Sequence, residues 1–123
     1  MRSFGFEKLK VWQESKDFSV RVYKVTSSFP SEEKFGLTSQ MRRAGVSVSS
    51  NIAEGSSRVS PKDQAHFYHM AYSSLMEVLS QLLIAKELEF VTDEVTEELK
   101  KEISKISYKL NSLRKSALSK TKD

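Results

Sequence analysis

The sequence has no cysteine, only two prolines and four glycines, and no long apolar run. The missing cysteines exclude disulfide bridges, thiolate metal sites and cysteine nucleophiles. The densest apolar stretch, VLSQLLIA at 78–85, is too short and too polar to span a bilayer. The opening MRSFGFEKLK lacks the apolar core of a signal peptide, so we expect a cytoplasmic protein without a membrane partner.

Charge is distributed unevenly along the 123 residues. The formal net charge of +4 permits nucleic-acid binding without requiring it. Residues 86–98 hold six acids against one lysine, whereas residues 99–123 hold eight lysines and arginines against two acids. Part of this asymmetry follows the helix macrodipole, which favours acids near N-termini and bases near C-termini. The content of 38% apolar and 29% charged residues indicates one helix-rich globular domain.

Apolar residues recur every three or four positions along four segments, which predicts amphipathic helices over approximately 7–27, 32–54, 61–88 and 93–117. Proline at position 30 ends the first segment, and Ser31 is the predicted N-cap of the second. Gly55 is the predicted stop of that helix, while Ser60 and Thr92 are predicted to cap the third and fourth. We therefore expect an all-α fold, an antiparallel up-down-up-down four-helix bundle over residues 1–118, with a frayed tail over 119–123.

The sequence contains no recognisable catalytic or cofactor motif. The two histidines, His66 and His69, have no acid three residues before them, so they do not form the paired Glu-x-x-His motif of di-iron bundles. Ser47, Ser49 and Ser50 lie within a predicted helix and not in a Gly-x-Ser-x-Gly elbow. Phosphate-binding and dinucleotide glycine motifs are also missing. We expect a protein that is not an enzyme and holds no cofactor or metal.

A polar stripe runs beside the apolar seam of the second helix. Its members, spaced by four, three and four, are Arg43, Ser47, Ser50 and Glu54. Asn51 falls on the seam itself, where a buried amide needs a partner and often sets register or oligomeric state. Small serines let another backbone approach closely, so we interpret the stripe as a packing surface that includes a neighbouring subunit. Ser74 and Glu77 repeat this pattern on the third helix, and we expect the acids to pair with Arg42 or Arg43.

Seven basic residues are candidate phosphate contacts: Arg42, Arg43, Arg58, Lys62, Lys101, Lys105 and Lys109. The last three form an i,i+4 stripe whose mutual repulsion a polyanion would relieve. Water relieves it too, and Glu97 precedes Lys101 by four residues. A solvated helix face therefore stands beside nucleic-acid binding as an alternative interpretation of this stripe.

Several motifs together resemble one known family. They are the L-x-V-W opening within FEKLKVWQES (6–15), the F-P-x-E-E-x-[FY]-G-L turn, Q-x-R-R-A, S-x-x-x-N-I-A-E-G, and A-x-x-S-x-x-E in the third helix. With them the chain resembles the four-helix bundle family associated with 23S rRNA intervening sequences, to which the accessory variability proteins of diversity-generating retroelements are related. The signature residues are Trp12, Pro30, Glu33, Gln40, Arg43, Ser47, Asn51, Glu54, Gly55, Ser74 and Glu77. Ser73 departs from the pattern, since members often have glycine there.

The resemblance implies a bacterial protein that assembles as a homopentamer, and its retroelement members bind nucleic acid and a reverse transcriptase. We therefore expect a non-catalytic, homo-oligomeric bundle that binds nucleic acid, RNA in the first place and DNA otherwise, through its basic surface. The alternative is an oligomeric protein–protein scaffold or accessory factor, for example for a reverse transcriptase.

Overall fold

A computed structural model describes residues 3–120, which form four α-helices. They are α1 (Lys10–Thr26), α2 (Leu37–Ser56), α3 (Pro61–Glu87) and α4 (Asp93–Ser119), with short 3-10 turns at Gly5–Lys8 and Ser31–Glu33. Within residues 3–120 there is no strand. Each helix packs on the next and α4 returns to α1 through a slighter contact. The predicted all-α, antiparallel four-helix bundle is confirmed.

The core is continuous along the bundle and follows the apolar spacing of the sequence. Each helix contributes fully buried side chains, among them Phe18, Val22, Met41, Val48, Ile52, Leu75, Val78, Leu82, Leu99, Ile106 and Leu110. A smaller cluster of Ala65, Tyr68 and Ala117 closes the end where α3 begins and α4 finishes. Burial of these faces is what makes each amphipathic segment helical, because isolated helices of this length are marginal in water.

The start of α2 differs from the sequence prediction. Ser31 does not cap this helix; it opens the 3-10 turn, and α2 begins only at Leu37. The Glu33 carboxylate accepts a hydrogen bond from the Leu37 backbone N–H at 3.0 Å. A side chain from the preceding turn therefore satisfies a free amide of the helix N-terminus, which an N-cap side chain would otherwise do.

Two positions near the end of α2 also differ. The helix continues past Gly55 to Ser56, and Gly55 has no positive φ, so it is not a stop. A Cβ atom at this glycine would lie 2.8 Å from Cε1 of Tyr68, so the residue is small because α3 packs closely there. Asn51 is half-buried and not on the seam, where its neighbour Ile52 is fully buried.

The other two helix starts agree with the prediction. Ser60 accepts a hydrogen bond from the Asp63 N–H at 3.4 Å, and Thr92 accepts one from the Val95 N–H at 3.2 Å. The last helix runs through Ser119, so that residue is helical and not part of a frayed tail; residues 121–123 lie outside the described part. None of the described helices is long and apolar enough to cross a membrane.

Candidate nucleic-acid interface

The seven cations predicted to contact phosphate do not share one surface. Lys105 and Lys109 lie on the side of α4 that faces α1, where both bind Glu14. The ammonium of Lys109 donates to both carboxylate oxygens, at 2.6 and 2.7 Å, and that of Lys105 lies 3.4 Å from one of them. Glu14 therefore relieves the repulsion along the lysine stripe, and only Lys101 is left there as an exposed cation without an ion pair among the described residues.

Arg42 and Arg58 are also held by their own chain. Arg42 donates to the Thr26 hydroxyl at 2.9 Å and the Tyr23 carbonyl at 3.2 Å, with its guanidinium 4.6 Å from the centre of the Tyr23 ring. Arg58 pairs with Glu54 at 3.0 Å and lies over the ring of Phe67. The expected pairing of Arg42 or Arg43 with Glu54 is not formed within residues 3–120, because Glu54 pairs with Arg58 and Arg42 donates to Thr26 and Tyr23.

The α1–α4 seam carries a network of charges around Glu14. Burial acts to raise the pKa of Glu14, but hydrogen bonds and charges from Lys109 and Lys105 outweigh it and hold the pKa below its usual value. Farther along the seam, Arg21 pairs with Glu98 and Glu102. Burial raises the pKa of Glu102, with Arg21 opposing the change, and its Oε2 atom has no hydrogen-bond partner. The seam is a structural network in which cations are neutralised.

We expect Glu14→Gln to lower the free energy of unfolding at pH 7 by about 1 kcal/mol, because it removes a charge-assisted contact to two lysines. The folded-state pKa of Glu14 is lowered, so its contribution is present above the unfolded-state pKa, near 4.3, and is lost as the pH falls through the folded value. Urea unfolding at pH 7 and pH 3 should show that the difference in the free energy of unfolding between wild type and variant is smaller at pH 3.

Glu97→Gln is the matched control for that measurement. It makes the same chemical change at an exposed i,i+3 pair, where the carboxylate lies 3.9 Å from Lys100. Its effect on the free energy of unfolding should stay within about 0.5 kcal/mol at both pH values. Equal effects of the two substitutions, or a gap that widens in acid, would contradict the role given to Glu14.

Four cations without ion pairs lie together at one end of the bundle, the end where α3 begins and α4 finishes. We call this the cationic end, and define it by Lys62, Arg114, Lys115 and Lys120. All four are exposed, and none has a carboxylate partner within residues 3–120. His66 and His69 share a pocket with Lys62 and Arg114. Only Lys62 was a predicted site residue; the excess of bases after residue 99 was the signal for the other three.

The far end of the bundle has the reverse character. There the loop between α3 and α4 and the first turns of α4 bring together Glu87, Glu89, Asp93, Glu94, Glu97 and Glu98. The bundle is thus electrically polar along its axis. A polyanion approaching it is attracted to one end and repelled from the other.

The sequence and the fold are similar to those of known proteins. The family model described as 23S rRNA-intervening sequence protein matches residues 7–112. The chain belongs to the 23S rRNA-intervening sequence protein family. It is similar to a crystal structure described as a protein with unknown function from the S23 ribosomal protein family of Bacteroides thetaiotaomicron VPI-5482. The two share 26% sequence identity with a TM-score of 0.77, over 85% of this chain and 98% of that one. No curated protein matches the sequence.

The family resemblance is thereby confirmed, while the relation to the accessory variability proteins stays a prediction. Several signature residues of this intervening sequence protein have local structural roles. Trp12 packs edge-to-face on Phe6 with ring centres 4.9 Å apart, the Pro30 carbonyl accepts the Glu33 N–H at 2.9 Å, and Gly55 admits Tyr68. Each of these residues therefore has a role in the local fold.

A second group of signature residues forms a polar network between α2 and α3. The hydroxyls of Ser47 and Ser74 lie 2.9 Å apart, and the Asn51 amide donates to both the hydroxyl and the carbonyl of Ser47. Because Ser47 Oγ accepts from Asn51, its own hydrogen is available for Ser74. Ser47 thus faces α3 of its own chain, and the contact of this stripe with a neighbouring subunit stays a prediction.

The remaining signature residues leave polar groups on the outer face of α2 and α3. Gln40, Arg43 and Glu77 are exposed, and within the described part of the chain neither charge has an ion pair. The Ser47–Ser74 contact sets the register of the two antiparallel helices and places Arg43 and Glu77 at a similar level. The expected ion pair of Glu77 with Arg42 or Arg43 is not formed among the described residues.

Metal-ligand side chains are dispersed in this family member. Across residues 3–120, no group of three or more histidine, aspartate or glutamate side chains is placed to hold a metal ion. Both histidines are exposed on α3 beside cations, a setting that disfavours a bound cation. Ser47 has a serine and an amide as its neighbours and no histidine base.

Proposed function

We propose that this protein is a non-catalytic, homo-oligomeric bundle that binds RNA through its cationic end, in connection with 23S rRNA intervening sequences. The observation that carries the proposal is the set of four exposed cations at that end, none of which has a carboxylate partner within residues 3–120. Elsewhere, Lys105, Lys109 and Arg58 have acids in contact. A phosphate backbone would supply the negative charge that residues 3–120 do not provide at this end.

The electrical polarity of the bundle supports the same proposal. Acids collect at the far end, so a duplex or folded RNA is oriented as it approaches. The aromatic residues favour phosphate contacts over base stacking, because most of them are engaged with the core or with cations. We therefore expect recognition of RNA shape and backbone rather than of single-stranded sequence.

Assembly of several subunits would repeat the cationic end in one particle. The resemblance suggests a homopentamer, and five subunits in a ring would present five cationic ends on one side. The outer α2–α3 face, with Arg43 and Glu77 unpaired within the described residues, supplies both signs of charge for a contact between neighbouring copies. Linking several weak phosphate-binding sites in one ring raises the overall affinity for RNA, although each site keeps the same contacts.

We expect binding to a structured RNA to weaken by about 100-fold between 50 and 200 mM salt, because about four phosphate contacts release counterions at a log–log slope near −3.5. Electrophoretic mobility shift assays across that salt range, with a structured RNA and a DNA duplex, measure the slope. No binding to structured RNA at 50 mM salt would overturn the proposal.

A pair of charge reversals locates the surface. Lys115→Glu changes the cationic end, whereas Lys24→Glu makes the same change at an exposed position near the C-terminus of α1. The first should weaken RNA binding by at least tenfold at 50 mM salt, and the second by less than about threefold. Equal effects would place the RNA on another surface.

A second candidate function is an oligomeric scaffold for another protein, such as the accessory role that the retroelement relatives suggest. A groove of about 710 Å³ between the N-terminal turn and α2 favours it. Phe4, 72% exposed, lines the groove together with Phe6 and Leu9. An apolar patch of this kind is typical of protein contacts.

Affinity capture with and without nuclease separates the two functions. RNA-mediated partners should disappear after nuclease treatment, and partners bound through the apolar groove should remain at high salt. A nuclease-resistant partner that is lost in Phe4→Ser would favour the scaffold.

A further inference from the structure

A small pocket at the cationic end lies between the first turns of α3 and the last turns of α4. It has a volume of about 240 Å³ and is lined by Lys62, Ala65, His66, His69, Arg114 and Leu118. Positions 62, 66 and 69 share one face of α3, since they recur at intervals of four and three residues. Arg114 reaches the same space from α4. Four nitrogen-bearing side chains therefore converge from two helices.

The pocket is rich in donors and has no acidic side chain among its lining residues. A lysine offers three donors and an arginine five, and neither accepts a hydrogen bond. Lys62 and Arg114 have no ion pair within residues 3–120, unlike Lys109 and Arg58. The chemical complement of such a site is an anion with several acceptor oxygens.

The apolar floor of the pocket strengthens the attraction between its cations and an anion. Ala65 is 4% exposed and belongs to the apolar cluster with Tyr68 and Ala117 that closes this end of the bundle. Burial in that cluster also raises the pKa of Tyr68. An apolar floor lowers the local dielectric, so the two cations attract an anion more strongly than they would on a fully polar surface.

The pocket is small, and one tetrahedral anion fits within its volume. Sites for whole drug-sized ligands measure about 300–1,000 Å³, so this space suits a single tetrahedral anion. We propose that the pocket binds one phosphate group of RNA, with Lys62 and Arg114 supplying charge and His66 and His69 supplying directional donors. This site rests on the proposed RNA binding and names the residues that carry one of its phosphate contacts.

The two histidines make a direct test available, because the chain has no others and both line the pocket. Inorganic phosphate is titrated into the protein at fixed pH and constant ionic strength, with sodium chloride as the exchanged salt. The imidazole proton signals in NMR, assigned with His66→Gln and His69→Gln, should both move and saturate. In Lys62→Gln/Arg114→Gln they should not move. The double variant Lys24→Gln/Lys34→Gln removes the same charge at two exposed positions outside the pocket and should respond as wild type does.

RNA binding by the same variants gives the second readout. Lys62→Gln/Arg114→Gln should weaken binding by at least tenfold at 50 mM salt and reduce the magnitude of the salt slope by about 0.9, the value for one phosphate of a duplex. The control double variant should change the affinity by less than about threefold. Circular dichroism of each variant checks that the bundle is intact.

Two RNAs of one sequence, with a 5′-phosphate or a 5′-hydroxyl, distinguish the source of the phosphate group. A preference for the 5′-phosphate that disappears in the pocket variant assigns a terminal phosphate. Equal binding of both RNAs, with equal loss in the variant, assigns a backbone phosphodiester. Unmoved histidine signals and an unchanged RNA affinity in the pocket variant would overturn the site while leaving the proposed function standing. Wild-type protein that binds no RNA would overturn the proposed function and this site with it.

Discussion

We expect Gly55→Ala to lower the free energy of unfolding by about 1–2 kcal/mol, the balance of an overpacking cost of about 1–3 kcal/mol and a helix-propensity gain of up to about 1 kcal/mol. The added Cβ atom would lie 2.8 Å from Cε1 of Tyr68 and 3.0 Å from Cβ of Phe67. Tyr68 is 4% exposed and belongs to the cluster that closes the cationic end, so its ring has little room to move. Urea unfolding followed by far-ultraviolet circular dichroism measures the change.

Gly45→Ala is the matched control, because it makes the same substitution at another buried glycine of α2. A Cβ atom there would lie 3.7 Å from the nearest atom of Val22, an ordinary van der Waals contact. The substitution should therefore raise the free energy of unfolding by about 0.5–1 kcal/mol through helix propensity. Stabilisation by both substitutions would show that α2 and α3 are not held as closely at Gly55 as the structure indicates.

We expect Arg43→Glu to dissociate the homo-oligomer that is proposed here. Arg43 is exposed on the α2–α3 face, and residues 3–120 provide no acidic partner for it. If this face contacts the next subunit, reversal of the charge costs each contact about 2–5 kcal/mol, and a ring loses that amount at every interface. Light scattering at micromolar concentration should then report the mass of one 14.0 kDa chain instead of a multiple of it.

Lys24→Glu is the charge-matched control and should leave the mass of the assembly unchanged. If Arg43 of one subunit pairs with Glu77 of the next, each single charge reversal should dissociate the assembly. The double variant Arg43→Glu/Glu77→Arg should then restore it, because the two charges are exchanged. A wild-type protein with the mass of one chain would contradict the assembly itself. An Arg43→Glu protein that keeps the wild-type mass would place the contact on another face.

Much of the architecture was predictable because its causes are local in the chain. The spacing of apolar residues identified four helices, and Ser60 and Thr92 marked two helix starts where a hydroxyl accepts from the amide three residues on. The start of α2 was not predictable in the same way. There Glu33 supplies the acceptor from a preceding 3-10 turn, so Ser31 has no capping role.

The candidate site was less accessible to sequence reasoning. Arg42, Lys105 and Lys109 had the composition and spacing of phosphate contacts, yet each binds a group of its own chain. Arg114 had no motif to mark it, and only the fold places it beside Lys62, about fifty residues earlier in the chain. Composition showed that bases are in excess after residue 99 but not which of them lack partners.

The sequence by itself determined the four helical segments, their order and the family, because helical periodicity and signature motifs depend on residues that are close together in the chain. Only the tertiary structure decided which charges are neutralised and which remain available. Glu14 and Lys109 meet across 95 positions of sequence, and their contact depends on how α1 and α4 pack. Coulomb interactions act through space. Two lysines of the stripe that the sequence suggests as a binding surface therefore form ion pairs with Glu14 in the bundle. The four cations of the cationic end have no carboxylate partner within residues 3–120, because no acidic helix face packs against them there.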